Sequence, residues 1–326
     1  MTSKRTLKRY ARAALFLALT WSFSANAWDA LPAYNQNTLA RSFALPVIGQ
    51  SSVLGASQST FAADYDLTTE YYNDLKGNEA IIVDGETSGF ALSWRQGIGH
   101  DVELIARLPV LVVGGGFMDH FIKEWHKTFG LPNGNREKAQ DNQRQITYTV
   151  NGNPVLDERR SGTTLGDIQL GAGLKLGDNT ALRGMVKLPN GSDSKLTGGN
   201  WGGAVWGDFG FPFAKGSSWD GFASLGATLA QKADALQDQQ RSVAAFGGVG
   251  LGYFLTQNFE VRSQLYGHSA LYKNTELPGL KKPGLQLTLG GSYRWSPKVN
   301  MDVFFQEDPV TYSSPDFSLH LGLTIR

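Results

Sequence analysis

Apolar and polar residues alternate along this 326-residue chain from about residue 58 to its end, in segments separated by turn residues. The last segment is the clearest, because its polar residues lie between Phe317, Leu319, Leu321, Leu323 and Ile325. Successive side chains of a β-strand point to opposite faces, whereas an amphipathic helix repeats every 3.6 residues or so. The sequence therefore predicts an all-β chain.

The connections between the predicted strands alternate in length. Tight turns are expected at 97–100, 177–179, 256–258 and 296–298, and longer connections cover about 72–85, 113–163, 189–200, 231–240, 272–284 and 308–315. A soluble β-sandwich also alternates along its strands but has no reason to alternate its loops in this way. Short turns at one end, long loops at the other and an even strand number are typical of an outer-membrane barrel. We therefore predict a single transmembrane antiparallel β-barrel of about 12 strands over residues 58–326.

Composition fits this interpretation and excludes others. The 39 glycines suit a curved sheet, and the 18 Phe, 11 Tyr and 8 Trp suit aromatic girdles at the membrane interfaces. The absence of cysteine excludes a disulfide scaffold, a thiolate metal site and a cysteine nucleophile. After the first thirty residues, no apolar run approaches the ~20 residues of a spanning helix. No basic patch predicts a nucleic-acid partner.

The N-terminus predicts export. A basic stretch from Lys4 to Arg12 precedes an apolar run from Ala13 to Trp21, and Ala25-Asn26-Ala27 fits a signal-peptidase site. We expect a signal peptide over 1–27, cleaved near Ala27. The following segment, 28–57, shows weak periodicity and is either periplasmic or folded into the lumen.

One long insertion, 114–163, interrupts the rhythm of the strands. Phe117, Phe121, Trp125 and Phe129 are spaced as on one face of an amphipathic helix in a long extracellular loop. A hairpin is expected between about 146 and 156, around Asn151-Gly152. Long loops are often functional, so the helix is expected either to gate the barrel mouth or to be a passive cap over it.

The alternation also assigns polar side chains to the lumen. Residues of both charges share this face, so strong ion selectivity, which usually requires a ring of one sign, is not indicated. Twelve strands lie between barrels that side chains fill and barrels that hold an aqueous channel, so the lumen is either open or plugged. The predicted lumen-lining set is Asp64, Asp66, Glu70, Arg95, Glu103, Arg107, Asp167, Lys175, Arg183, Lys187, Glu260, Arg262, His268, Asp302 and His320.

His268 and Ser269 are weak catalytic candidates. The pair resembles the His-x-Ser motif of outer-membrane lipid A deacylases, and a lipid-modifying hydrolase would need the imidazole beside the hydroxyl. Adjacent residues of a strand point to opposite faces, which disfavours a dyad. His120 and His126 do not share a helix face, so no metal site and no cofactor are predicted.

Several short motifs are similar to those of a bacterial outer-membrane family known as domain of unknown function 3187. The resemblance implies an outer-membrane barrel in a Gram-negative bacterium and brings no known reaction or ligand. The chain departs from most such barrels in ending Ile325-Arg326 rather than in an aromatic residue. The matching stretches are Asn35 to Asn37, the run from Gly116 to Arg136 with its Phe-Gly-Leu-Pro-x-Gly element, Gly166 to Gly171, Lys187 to Gly191, Glu307 to Pro309 and Ser314 to Phe317.

The leading functional hypothesis is a narrow channel or binding barrel for a small solute. The alternatives are the lipid-modifying hydrolase and a structural or adhesive barrel without transport activity. In all three, the expected partners are outer-membrane lipid, lipopolysaccharide and the outer-membrane assembly machinery.

Overall fold

The computed structural model describes residues 29–130, 136–213, 217–310 and 313–326. The predicted signal peptide lies outside the described residues, as does Leu131 to Asn135 of the motif after the helix. The longer helix is α1 (Asp119–Phe129), and a single turn, α2, covers Pro278–Lys281. The strands are β1 (Ser59–Lys76), β2 (Glu79–Gly97), β3 (Val102–Gly114), β4 (Gln145–Val150), β5 (Asn153–Glu158), β6 (Gly162–Leu165), β7 (Gln169–Gly177), β8 (Thr180–Lys187), β9 (Gly202–Pro212), β10 (Trp219–Ala230), β11 (Val243–Phe254), β12 (Phe259–His268), β13 (Gly284–Ser296), β14 (Val299–Glu307) and β15 (Phe317–Ile325).

Within the described residues, twelve antiparallel strands close into a barrel, as predicted. Closure joins β1 to β15, with Asp66 opposite His320 in the register. The other barrel strands are β2, β3 and β7 to β14. Each pairs with the next barrel strand along the chain, so that β3 pairs with β7. Closure leaves the barrel strands without a free edge that could pair with another chain.

The two faces of the wall differ as the alternation predicts. Outward residues are exposed and apolar, such as Phe90 (51%), Leu225 (70%) and Leu321 (46%). Inward residues are buried and often charged, such as Glu103 and Asp208. The outside is therefore an apolar belt suited to lipid. No helix among the described residues is long and apolar enough to cross a membrane.

The two ends of the barrel differ in their connections. We call the end with the turns 98–101, 178–179, 255–258 and 297–298 the short-turn end, and the other the long-loop end. The expected long connection at 72–85 is wrong, because β1 and β2 continue as a paired hairpin to a tight turn at Gly77, whose φ is 61°. Beyond the barrel, β4 pairs with β2, and β4 and β5 form the expected hairpin.

Residues 29–57, the lumen segment, lie inside the barrel. The segment runs from the short-turn end to a one-turn 3-10 helix at Thr38–Ser42 and then returns. Leu31, Ala44 and Ile48 along it are almost completely buried. Of the two locations left open by the sequence, the structure shows the lumenal one.

At the long-loop end, the turn of the lumen segment is covered by an apolar core. Leu39 and Phe43 of the segment pack with Ile81 and Val83, near the start of β2. Loops beyond β10 and β12 add Leu236, Leu271 and Leu277 to the same cluster. The mouth is thus filled by the lumen segment and by other loops.

Helix α1 does not cover the mouth, so the expected gating position of Phe117, Phe121, Trp125 and Phe129 is wrong. The helix packs through Met118 and Ile122 against Leu67 of β1 and Phe317 of β15. Both strand residues face outward, since they alternate with the inward residues Asp66 and His320. The apolar stripe therefore binds the outer wall of the barrel rather than its opening.

Candidate functional site: the barrel interior

The interior wall near the short-turn end carries a chain of buried ion pairs. Arg95 of β2 binds Glu103 of β3 at 2.9 Å, and Glu103 binds Arg183 of β8 at 2.8 Å. Arg183 in turn binds Asp208 of β9 at 2.8 Å. Charges out of water are tolerated when they are paired and hydrogen-bonded. This network of Arg95, Glu103, Arg183 and Asp208 spans five adjacent strands.

Gly173 of β7 makes this network possible. It lies between Glu103 and Arg183 in the register of β3, β7 and β8. A Cβ at this position would lie 2.9 Å from a Glu103 carboxylate oxygen. A larger residue would therefore separate the carboxylate from the guanidinium across the strand.

The network also holds the returning limb of the lumen segment. Glu103 accepts the amide of Leu54 at 3.0 Å, and Asp208 accepts the amide of Gly49 at 2.7 Å. Arg95 and Arg183 donate to the carbonyl of Ser52 at 2.9 and 2.8 Å, and Arg183 also donates to the carbonyl of Gln50. The charged side chains of the wall thus satisfy backbone amides and carbonyls of a limb that forms no helix or strand.

Gly49 fits the segment closely against the wall. Its φ of 84° lies in the left-handed region, and a Cβ would clash with Ala30 and with the ring of Phe222. Only glycine combines this conformation with such a close approach.

The rising limb, residues 29–37, is held mainly by uncharged hydrogen bonds. The Gln264 side chain binds both the amide and the carbonyl of Leu31, at 2.7 and 3.1 Å. Thr68 donates to the Gln36 carboxamide at 3.1 Å. Charged side chains also contact it: Asp29 binds Arg95 at 3.2 Å, Arg107 donates to the Tyr34 hydroxyl at 3.4 Å, and Glu70 accepts the Thr38 hydroxyl and amide.

The other predicted lumen charges are mostly paired. Arg107 binds Asp64 at 3.0 Å and lies over the Tyr34 ring of the lumen segment. His320 binds Asp66 through Nδ1 at 2.7 Å and stacks on Phe304. Arg262 binds Glu260 and Asp220, and Lys187 binds Asp167. Asp302 accepts from Asn300 and Ser292, whereas Lys175 lies at the rim, where it pairs with Asp178.

His268 and Ser269 do not form a dyad. The imidazole of His268 is buried, with Nδ1 2.9 Å from the Ser269 carbonyl oxygen and Nε2 2.6 Å from the Asn35 amide nitrogen. The Ser269 hydroxyl instead accepts the amide of Ala245 at 3.0 Å. Both ring nitrogens are therefore engaged with groups other than the hydroxyl. Among the described residues, no cluster of His, Asp and Glu could hold a metal ion.

Sequence analysis missed a row of uncharged polar side chains on the inner wall. Gln264, Thr288, Gln306, Ser318 and Thr68 stand opposite one another across β12, β13, β14, β15 and β1. Their place in the alternation predicts an inward position, but uncharged side chains do not mark a lumen as clearly as charged ones do. Within the described part of the chain, the Gln306 carboxamide and the Thr288 hydroxyl are buried and have no hydrogen-bond partner. An unsatisfied buried polar group costs free energy, so this wall favours contact with water or a polar solute.

A cavity of about 160 Å³ lies between the lumen segment and the wall near the short-turn end. Its charged lining includes both signs, with Asp64, Arg107 and Arg294 among the contributors. Pro46 and Val47 of the returning limb form part of its boundary. The cavity is therefore shaped jointly by the barrel and the lumen segment.

At the long-loop end, a second charged cluster ties the 114–163 insertion to the wall. The guanidinium of Arg136 binds Asp119 of α1 at 2.7 Å and also binds Asp316, which precedes β15. Burial raises the pKa of Asp316, although the Arg136 charge opposes this shift. Burial and the charge of Asp316 raise the pKa of the neighbouring Asp308 well above its usual value.

Comparison with known proteins places the chain in a family. The model of a family described as "Protein of unknown function (DUF3187)" matches residues 10–326, so the chain belongs to that family, as its motifs predict. No curated protein matches.

Solved structures share the fold at low identity. The crystal structure of the COG4313 outer membrane channel from Pseudomonas putida F1 is 12% identical, with a TM-score of 0.55 over 85% of this chain and 98% of that one. The CymD monoaromatic hydrocarbon channel has a TM-score of 0.40 at 10% identity, covering 82% of this chain and 88% of that chain. The first of these likenesses shows a shared barrel fold.

We expect Arg183→Met to destabilise the barrel by roughly 3–5 kcal/mol, because it leaves two buried carboxylates without their shared cation. Denaturant unfolding in detergent micelles, followed by tryptophan fluorescence, measures the effect. Lys175→Met is the matched control, since its pair with Asp178 is exposed and should contribute roughly 0–1 kcal/mol. Equal stability of the two variants would mean that the network does not hold the barrel.

We expect Asp308→Asn to raise the thermal stability of the long-loop end at neutral pH but not at acidic pH. The raised pKa means that the folded state binds the proton more tightly than the unfolded chain does. Ionisation of Asp308 therefore costs stability as pH rises from its unfolded value through its folded value, and asparagine removes that cost. Melting curves of both proteins across pH measure this difference, and a constant gap between them would contradict it.

Proposed function

We propose that this member of the DUF3187 family is an outer-membrane barrel that binds or passes a small polar solute, with passage controlled by its lumen segment. The observation that carries the proposal is residues 29–57 lying inside a closed barrel beside a cavity of about 160 Å³. A cavity of this size accommodates a few water molecules or a small solute.

The chemistry of the interior supports a polar solute. The cavity lining carries both charges, and Thr288 and Gln306 of the uncharged row offer hydrogen bonds that the described residues do not satisfy. Mixed charge without a ring of one sign favours polar solutes in general over a single ion type.

The placement of the lumen segment supports control of passage. It fills the interior at the long-loop end together with the loop core, so a solute crosses only if the segment or this core shifts. Helix α1 has no such role in our proposal, because it lies outside the barrel.

We further propose that the protein is not a lipid hydrolase, since the two nitrogens of His268 are engaged by Asn35 and by the Ser269 carbonyl oxygen. Its proposed surroundings are the outer membrane of a Gram-negative bacterium, reached after signal-peptide cleavage near Ala27 and insertion by the assembly machinery. The exposed apolar belt supports contact with outer-membrane lipid and lipopolysaccharide.

Releasing the lumen segment should increase conductance several-fold. A protease site placed at 55–57, which is partly or fully exposed, allows the folded barrel to be cut and the segment to be washed out with mild urea. Single-channel current in a planar bilayer is recorded before and after cleavage of the same preparation. The gain is expected because the segment occupies the lumen.

The matched controls are the uncut barrel treated with urea and a barrel lacking residues 117–129, neither of which should gain conductance. Unchanged conductance after release of the segment from a folded barrel would contradict the proposal and favour the structural or adhesive alternative. If deletion of 117–129 increases the conductance instead, the helix and not the lumen segment controls passage.

A further inference from the structure

Helix α1 presents an exposed aromatic face on the outside of the barrel. Phe117, just before the helix, and Phe121 and Phe129 within it are exposed by 71%, 45% and 61%, whereas Ile122 is completely buried against the barrel. The ring of Trp125 contacts the ring of Phe129 at a tilt and that of Phe305 edge-on, and so joins the exposed residues to the wall. The helix therefore binds the barrel with one part of its apolar face and leaves the remaining part uncovered.

Polar contacts fix the helix in this position. The buried carboxylate of Glu86 on β2 accepts the amides of Phe117, at 2.9 Å, and of Met118, just before the helix begins. Gly116, with a φ of 70°, allows this approach, since a Cβ there would clash with Glu86. The ring nitrogen of Trp125 donates to Glu307 of β14 at 2.7 Å.

Arg136 adds a further fixed point beyond the helix. It binds Asp119 and Asp316, donates to the Thr69 hydroxyl at 3.2 Å and lies over the Tyr71 ring. The guanidinium is almost completely buried among these groups. The exposed aromatic residues thus belong to a fixed element of the outer wall.

The exposed face continues the apolar belt of the barrel. Toward the short-turn end, the strands beneath the helix carry the exposed residues Val303, Leu321 and Leu323. Polar residues occupy other sides of the helix, where Lys127 is exposed and Lys123 binds Asp141. Helices with an aromatic face and a charged face lie in the boundary between headgroups and acyl chains.

We propose that α1 is an interfacial lipid-binding helix that inserts Phe121 and Phe129, together with Phe117 just before it, into the bilayer around the long-loop end of the barrel. Continuity with the strand belt favours lipid over a second protein, because the bilayer that contacts Leu321 and Leu323 extends upward to the helix. This inference rests on the proposed membrane location of the barrel.

The absence of cysteine from the chain allows a single nitroxide to be attached at any chosen position. Phe117→Cys and Phe129→Cys report on the aromatic face, and Lys127→Cys is the matched control on the polar side of the same helix. In phospholipid vesicles, oxygen relaxes a nitroxide in lipid and a water-soluble nickel complex relaxes one in water. The ratio of oxygen to nickel accessibility should be several-fold higher at 117 and 129 than at 127.

Leu225→Cys on the outer face of β10 separates two kinds of failure. A water-like ratio at 225 would overturn the membrane location of the barrel, whereas a lipid-like ratio at 225 with water-like ratios at 117 and 129 would overturn only the helix proposal. Spin–spin broadening between labels at 117 or 129 would also overturn it, because it would indicate contact with a second copy. Heat-modifiable mobility on gels verifies that each labelled barrel is folded.

Discussion

The buried ion pairs among Arg95, Glu103, Arg183 and Asp208 are the interaction on which the interior of this barrel depends. A twelve-stranded wall encloses more space than its own side chains fill, and the lumen segment enters that space with bare backbone amides and carbonyls. Carboxylates of the network accept the amides and guanidiniums donate to the carbonyls. The same four side chains thus brace the strands and satisfy the segment.

The two limbs of the lumen segment are therefore held by different chemistry. Charge-assisted hydrogen bonds, which fix the returning limb at 49–54, are stronger than the neutral bonds that Gln264 and Thr68 make to the rising limb. The cavity lies where the limbs and the wall meet, and the unsatisfied side chains of Thr288 and Gln306 lie on β13 and β14, between the strands that bind the rising limb. A solute that competes for hydrogen bonds would thus displace the rising limb more easily than the returning one.

Much of the barrel could be predicted from sequence, because successive residues of a strand point to opposite faces and alternation alone therefore assigns each residue to a face. Asp66 and His320 were assigned inward from alternation, and the structure pairs them. Parity could not show that Arg183 reaches Glu103 across Gly173, since this contact depends on the register of three strands. Nor could it place 29–57, whose position is fixed by contacts with residues far along the chain.

The helix at 119–129 shows the limit of an amphipathic pattern. The helical spacing of the aromatic residues predicts the helix. It does not predict which apolar surface of the protein the helix packs against. The deciding residue is Glu86, which faces outward at the long-loop end of β2 and accepts the amides at the start of the helix. With the mouth already filled by Leu39, Phe43 and the loop core, the outer wall is the apolar surface that remains for the helix. Its position thus follows from the lumen segment occupying the interior.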